Sequence, residues 1–194
     1  MRRDLLTSLT AVVAMTVVLG LAYPLAIAGV AQVLFPGSAN GSKVSFEGRV
    51  VGSELIGQEF GGSAFFHSRP SATEYSGNVT FFGNAGPNSA AARDAVRESL
   101  AAYVRREKPY DGSLTAGRVP VDAVTESASG VDPHISEANA RIQAHRVAAV
   151  RRLSLARVEE LIGESTDGRS LGLLGEPGVN VLRLNIALEE EAPR

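Results

Sequence analysis

The sequence predicts a single N-terminal transmembrane α-helix followed by one extracytoplasmic α+β domain with a small β-sheet. Three observations predict it. From Leu5 to Ser42 there is no charged residue, and the run LLTSLTAVVAMTVVLGLAYPLAIAGVAQVLF is Leu, Val, Ala and Ile for most of its length. All but Arg2 and Arg3 of the 19 basic residues, and all but Asp4 of the 21 acidic ones, lie beyond it. In that polar remainder, segments of helical period alternate with short strand-like ones and with loops rich in Gly, Pro, Ser and Asn. With 194 residues the chain has room for one domain and an appendage, not for a polytopic transporter.

The elements follow in chain order. Residues 1–4 form a short polar N-terminus and residues 5–35 the transmembrane helix, longer than the roughly 20 apolar residues that cross about 30 Å of hydrocarbon. Pro24 either kinks that helix or marks its emergence, and Phe35-Pro36-Gly37-Ser38 reads as a stop. Residues 36–43 are a connector and residues 44–194 the domain. A cleaved secretory signal competes with this reading, because Arg2-Arg3 makes a basic start and Ala26-Ile27-Ala28 a small-x-small site. Its apolar core should be only about 7 to 15 residues long, so retention is favoured. Asp4 directly after the Arg pair argues against a twin-arginine signal. Arg2, Arg3 and the amino terminus outweigh Lys43 and Arg49, which places the N-terminus in the cytoplasm and the domain outside it.

Within the domain, Val44, Phe46, Val50 and Val51 predict a short strand with a turn at Glu47-Gly48, and Ser53 to Phe60 one or two helical turns. Gly61 to Pro87 reads as an ordered loop, since a flexible linker would not carry Phe65, Phe66, Phe81 and Phe82. Asn88 or Ser89 caps a helix over Ala90 to Arg106, closed by Pro109. Ser136 caps a second to Leu153, and Ser154 a third to about Glu164. Gly175 to Gly178 is a turn, and Val179 to Ile186 alternates as a half-buried strand.

Several chemistries fail on residue types. The absence of Cys excludes disulfides, thiolate zinc sites and thiol catalysis. A net charge of −2 argues against nucleic acid. The span holds no Asp, Glu, Lys, Arg or His to bind or relay an ion, and no Gly-x-x-x-x-Gly-Lys-Ser/Thr loop is present for ATP hydrolysis. His67, His134 and His145 lack metal-ligand spacing. Ser127, Ser129, Asp132, His134 and Ser136 have the residue types of a serine hydrolase, but none of these serines lies in a Gly-x-Ser-x-Gly elbow. A turn explains them better: Ser and Asp side chains satisfy backbone N–H groups, Gly130 takes positive φ and Pro133 stiffens the approach to the helix. Arg146 falls on the apolar side of its helix with Ile142, Val150 and Leu153, so either its stem snorkels or it is buried with an acid such as Asp122 or Asp132. Arg69 is expected to hold loop carbonyls or Glu74, an anionic ligand being the other reading.

The motifs themselves resemble the C subunits of the Kdp potassium-transporting P-type ATPases over nearly the whole chain. The resemblance rests on Tyr23-Pro24-Leu25, Gly52-Ser53-x-Leu55-Ile56-Gly57-Gln58-x-Phe60, Phe66-His67-x-Arg69-Pro70-Ser71-Ala72 with Tyr75, and Val119-Pro120-Val121-Asp122. It continues through Val124-Thr125-x-Ser127-x-Ser129-Gly130-x-Asp132-Pro133-His134-Ile135-Ser136, Gln143, Arg146-Val147-Ala148 and Gly175-Glu176-Pro177-x-Val179-Asn180-Val181-Leu182-x-Leu184-Asn185. Gly83 to Asn88 departs from the family's usual Gly-Ser-Asn-Leu-Gly-Pro, which leaves the conformation at Asn84 open.

The resemblance implies a non-catalytic subunit of a high-affinity potassium uptake complex in the bacterial cytoplasmic membrane. It implies as partners a channel-like potassium-translocating subunit, an ATP-hydrolysing subunit and a small single-helix subunit, besides membrane lipid. It also implies a catalytic-chaperone effect on ATP affinity, with no cofactor of the chain's own, ATP, magnesium and potassium belonging to the complex. The structural or interface candidates are then Arg69, Pro70, Ser71, Tyr75, Asp122, Thr125, Ser127, Ser129, Gly130, Asp132, Pro133, His134, Ser136, Arg146, Asn180 and Asn185. Gly20, Pro24 and Gly29, with Ala14, Ala22, Ala26 and Ala28, are candidates for packing between membrane helices. A membrane-anchored hydrolase or a secreted binding protein is the alternative.

Overall fold

The computed structural model describes residues 2–78, 84–86 and 88–191. Phe81 and Phe82, and Gly83 and Pro87 of the divergent loop, lie outside the described residues. The chain divides into two compact units, Met1–Lys43 and Val44–Arg194.

The first unit is one helical rod over Arg2–Leu34, long and apolar enough to cross a bilayer. It consists of α1 (Arg2–Val17), a π-helical turn (Val18–Ala22) and α2 (Tyr23–Leu34). Pro24 accounts for the π turn. Having no N–H, it leaves the Gly20 carbonyl without its i+4 donor, and its ring crowds that carbonyl. The ladder widens there, with the Tyr23 N–H donating to Val18 O. Pro24 therefore does not end the helix, and the rod continues to Leu34. Phe35 leaves helical geometry at φ −137°, followed by the single turn α3 (Pro36–Ala39).

The second unit opens with a hairpin: the turn expected at Glu47-Gly48 is present, with a strand on each side of it. Strands β1 (Lys43–Phe46) and β2 (Arg49–Ser53) pair through Glu47 and Gly48. Both turn residues have positive φ, 47° and 77°, as a type I′ turn requires. The helical turns expected over Ser53 to Phe60 are absent. Ile56 makes an isolated bridge with Ser53, and the Gly57 N–H donates 2.7 Å to Val131 O instead of to its own segment.

Helix α4 (Ala90–Glu107) is capped by Ser89 Oγ, α5 (Glu137–Arg151) by Ser136 Oγ and α6 (Leu155–Glu164) by Ser154 Oγ, each accepting an N–H three residues on. Helix α5 stops short of Leu153 because Arg152 turns left-handed at φ 59°. The strand expected over Val179 to Ile186 is overturned. Only β5 (Gly178–Asn180) is extended, and Val181–Glu190 forms α7. Asn180 Oδ1 caps it by accepting the Arg183 N–H, and its buried Val181, Leu184, Asn185 and Leu188 follow a helical period.

The antiparallel sheet has the order β3 (His134–Ile135), β5, β4 (Thr166–Asp167), with Ile135 opposite Val179 and Thr166 opposite Val179 on its other edge. Helices α5, α6 and α7 bury Val147, Val158, Leu161 and Leu184 in one core with Phe66, Ile135 and Val179. A second cluster, Tyr103, Leu114, Ala123, Val124 and Ile142, joins α4 to α5.

Candidate functional site

The segment Ser63–Tyr75 carries no helix or strand, so its peptide groups need partners from elsewhere. Helices α5 and α7 supply them as side chains. Asn185 accepts the Phe66 N–H at 2.8 Å and donates to Phe66 O at 2.9 Å. Gln143 does the same for His67, at 2.8 and 3.1 Å. Each primary amide thus imitates a neighbouring strand. Arg146 donates to Ser63 O and Phe65 O, and Arg151 to Ala64 O with its guanidinium 4.8 Å over the Phe65 ring. The Tyr75 hydroxyl holds Arg69 O.

Arg146 is 1% exposed, which settles the choice between snorkelling and burial. Its acid is neither Asp122 nor Asp132. Glu107, at the end of α4 and fully buried, receives Arg146 Nε on both oxygens at 3.1 and 3.0 Å. The same carboxylate takes Arg106 Nε at 2.7 Å, so one anion sits between two guanidiniums. Asp122 has another task. It accepts the Ser136 N–H and Oγ–H and the Asn139 side chain, which fixes the start of α5.

The segment Thr125–Ser136 is built as the turn reading expects. Ser127 Oγ accepts the Gly130 N–H, Ser129 Oγ the Val131 N–H, and Asp132 the His134 N–H. Thr125 Oγ1 donates to Val121 O, and Pro133 O accepts the Val181 N–H. Gly130 has φ 69°, and its Cα lies so close to Thr73 that a Cβ would fall 2.7 Å from Thr73 Oγ1. Ser71 Oγ donates 2.6 Å to Gly130 O, which ties the two loops together. Asn180 Nδ2 donates to Glu54 O, which ties the Ser53–Phe60 segment to the start of α7. Arg69 joins the same ring through Asp132, at 2.9 Å, and the Glu126 carbonyl rather than Glu74. Its Nε is buried with no hydrogen-bond partner among the described residues.

No hydroxyl of this group reaches His134. The imidazole Nε2 lies 2.9 Å from Asp167, which Arg183 also holds. Burial alone would raise the Asp167 pKa, but the His134 and Arg183 hydrogen bonds outweigh it and keep the carboxyl below its ordinary range. Burial pushes His67 down and Tyr75 up, in each case because the charged form loses water. A groove of about 520 Å³ opens beside these loops, lined by Pro70 with Glu59, His67, Arg69, Tyr75 and Arg106. Among the described residues no three His, Asp or Glu side chains are grouped to hold a metal ion.

Sequence reasoning missed Glu107, Asn139, Asp167 and Arg151. Only Glu107 left a trace, as an acid at the end of a helix beside two arginines. Gly20 and Gly29 lie on the first unit's helix with room for a Cβ on both.

A family model described as the K+-transporting ATPase, c chain, matches residues 5–190. The chain is 47% identical over 191 residues to a protein of Mycobacterium tuberculosis, covering 97% of this chain and 99% of that one. It is 48% identical over 195 residues to one of Rhodospirillum rubrum, covering 100% and 98%. To one of Myxococcus xanthus it is 49% identical over 187 residues, covering 95% and 86%. Each bears the name potassium-transporting ATPase KdpC subunit. With a match that spans the apolar helix and the domain alike, the chain belongs to the KdpC family, the c chains of K+-transporting ATPases.

Proposed function

We propose that this chain is a non-catalytic subunit that assembles and stabilises a potassium-transporting ATPase in the bacterial cytoplasmic membrane. In this reading Arg2–Leu34 spans the bilayer once with its N-terminus in the cytoplasm, and the domain binds partners on the outer side. The observation that carries it is how the domain spends its polar groups. Ser127, Ser129, Asp132 and Ser136 are turned onto backbone N–H groups, and His134 onto Asp167. A hydrolase would need a serine aligned on that histidine. The partners are a channel-like potassium-translocating subunit and an ATP-hydrolysing one, with a small single-helix subunit beside them. ATP, magnesium and potassium are theirs.

An influence on ATP affinity then has to cross the membrane as a conformational bias, passed through contacts of the helix with its neighbours. Two measurements test the reading. Detergent extraction should recover the chain together with two much larger membrane proteins. Protease added to right-side-out vesicles should remove the domain, and protease added to inside-out vesicles should leave it intact; the reverse pattern would overturn the topology.

A further inference from the structure

The segment Gly168–Gly175 presents an apolar tip that neither the core nor the polar ring uses. Leu171, Leu173 and Leu174 are 86, 70 and 54% exposed, three large apolar side chains within four positions. The tip is preformed. Ser170 and Leu174 exchange both backbone hydrogen bonds, at 2.8 and 2.9 Å, the Gly172 N–H donates to Arg169 O, and Arg169 pairs with Glu176 at 3.0 Å across its base. Leu171 takes φ 54°, a left-handed conformation that a leucine adopts at a cost and that glycine would adopt freely. A local cost kept at a leucine this exposed points to a contact outside the domain.

We infer that the Leu171–Leu174 hairpin is a docking wedge that seats in an apolar groove on the outer face of another subunit of the ATPase. The inference rests on the proposed function above. Two arguments select that occupant. An anionic lipid surface would recruit the tip through unpaired cations, and the one cation here, Arg169, is neutralised by Glu176. A second copy of this chain would meet the same three leucines, far short of the roughly 800 Å² per partner that a stable interface buries. The wedge therefore acts as an anchor within a larger contact, where a few buried side chains dominate the affinity.

The test uses the complex co-expressed with its partner subunits. A photo-crosslinking amino acid at position 171 should link to one of the two large subunits, while the same group at position 98, on the solvent side of α4, should not. Leu171→Asp with Leu173→Asp should lower recovery of the complex roughly tenfold, as loss of an anchor does. The circular dichroism and melting temperature of the variant chain purified alone should stay unchanged. Crosslinks to lipid only, crosslinks to a second copy only, no crosslink, or full recovery of the double variant each overturn the wedge. If the wild-type chain itself is recovered without large subunits, the proposed function fails as well, so the two failures are distinguishable.

Discussion

At the scale of single residues, the Arg146–Glu107 pair dominates. A buried ion pair adds little net stability over apolar packing, but removing one partner strands the other charge in a dry interior. Arg146→Ala would also orphan the Ser63 and Phe65 carbonyls. It should lower stability by about 3–5 kcal/mol in denaturant titrations followed by circular dichroism. Arg146→Met combined with Glu107→Leu should be milder than Arg146→Ala; a loss larger than that of the single change would remove the ion-pair account. His67 gives a pH dependence. Burial foremost, then Arg106 and Arg146, lowers its pKa, while the Gly62 carbonyl and Glu107 pull the other way without cancelling this. The folded state then binds fewer protons than the unfolded chain, whose histidines titrate near 6.5. The His67 contribution is complete above that value and is lost as pH falls through the lower folded pKa. His67→Gln should therefore lose less melting temperature than wild type between about pH 7.5 and pH 5.5, and equal losses would count against it. The amphipathic position of Arg146 was readable from helical period, because period fixes the face. Its acid was not, because Glu107 lies 39 positions away and only packing α4 on α5 brings them together.

At the scale of elements, what was legible follows from local chemistry. Ser89, Ser136 and Ser154 each announce a helix, since a serine oxygen accepting a free N–H is a contact made within four residues. Helix α7 was read as a strand because Val179, Val181 and Arg183 alternate with Asn180, Leu182 and Leu184. The Asn180 cap that breaks the strand looks the same in sequence as a polar strand residue. The signal was available in Leu184 and Leu188, four apart and both buried. Ser53 to Phe60 misled for a different reason: its groups are committed to distant loops. A Cβ on Gly57 would lie 2.3 Å from the Asp132 carbonyl oxygen, which is backbone and cannot swing away. Gly57→Ala should thus cost about 1–3 kcal/mol or more and loosen the Thr125–Ser136 turn, seen as faster amide exchange there. Alanine in place of Gly163, which has open space around it, is the control that should leave exchange unchanged.

For the whole molecule, the proposed function requires a rod without Asp, Glu, Lys, Arg or His between Leu5 and Leu34 to hold its place among other helices. Lipid tails are as apolar as leucine, so burial offers no drive for association, and close packing at small residues has to supply it. Gly20 stands within the π turn, and a Cβ there would meet only Thr16 at 3.8 Å; a Cβ on Gly29 would meet nothing within 4 Å among the described residues. Leucine is therefore tolerated by the rod itself at both positions, and any effect reports on neighbours. At about 100° per residue the two glycines are roughly half a turn out of phase, so they face different directions. A subunit between two larger partners would use both faces. Gly20→Leu and Gly29→Leu should then each weaken assembly, and the identity of the partner lost on co-purification should differ between them. If both variants retain both partners at wild-type yield, small-residue packing is not what holds the helix in the proposed complex, and the domain carries the assembly alone.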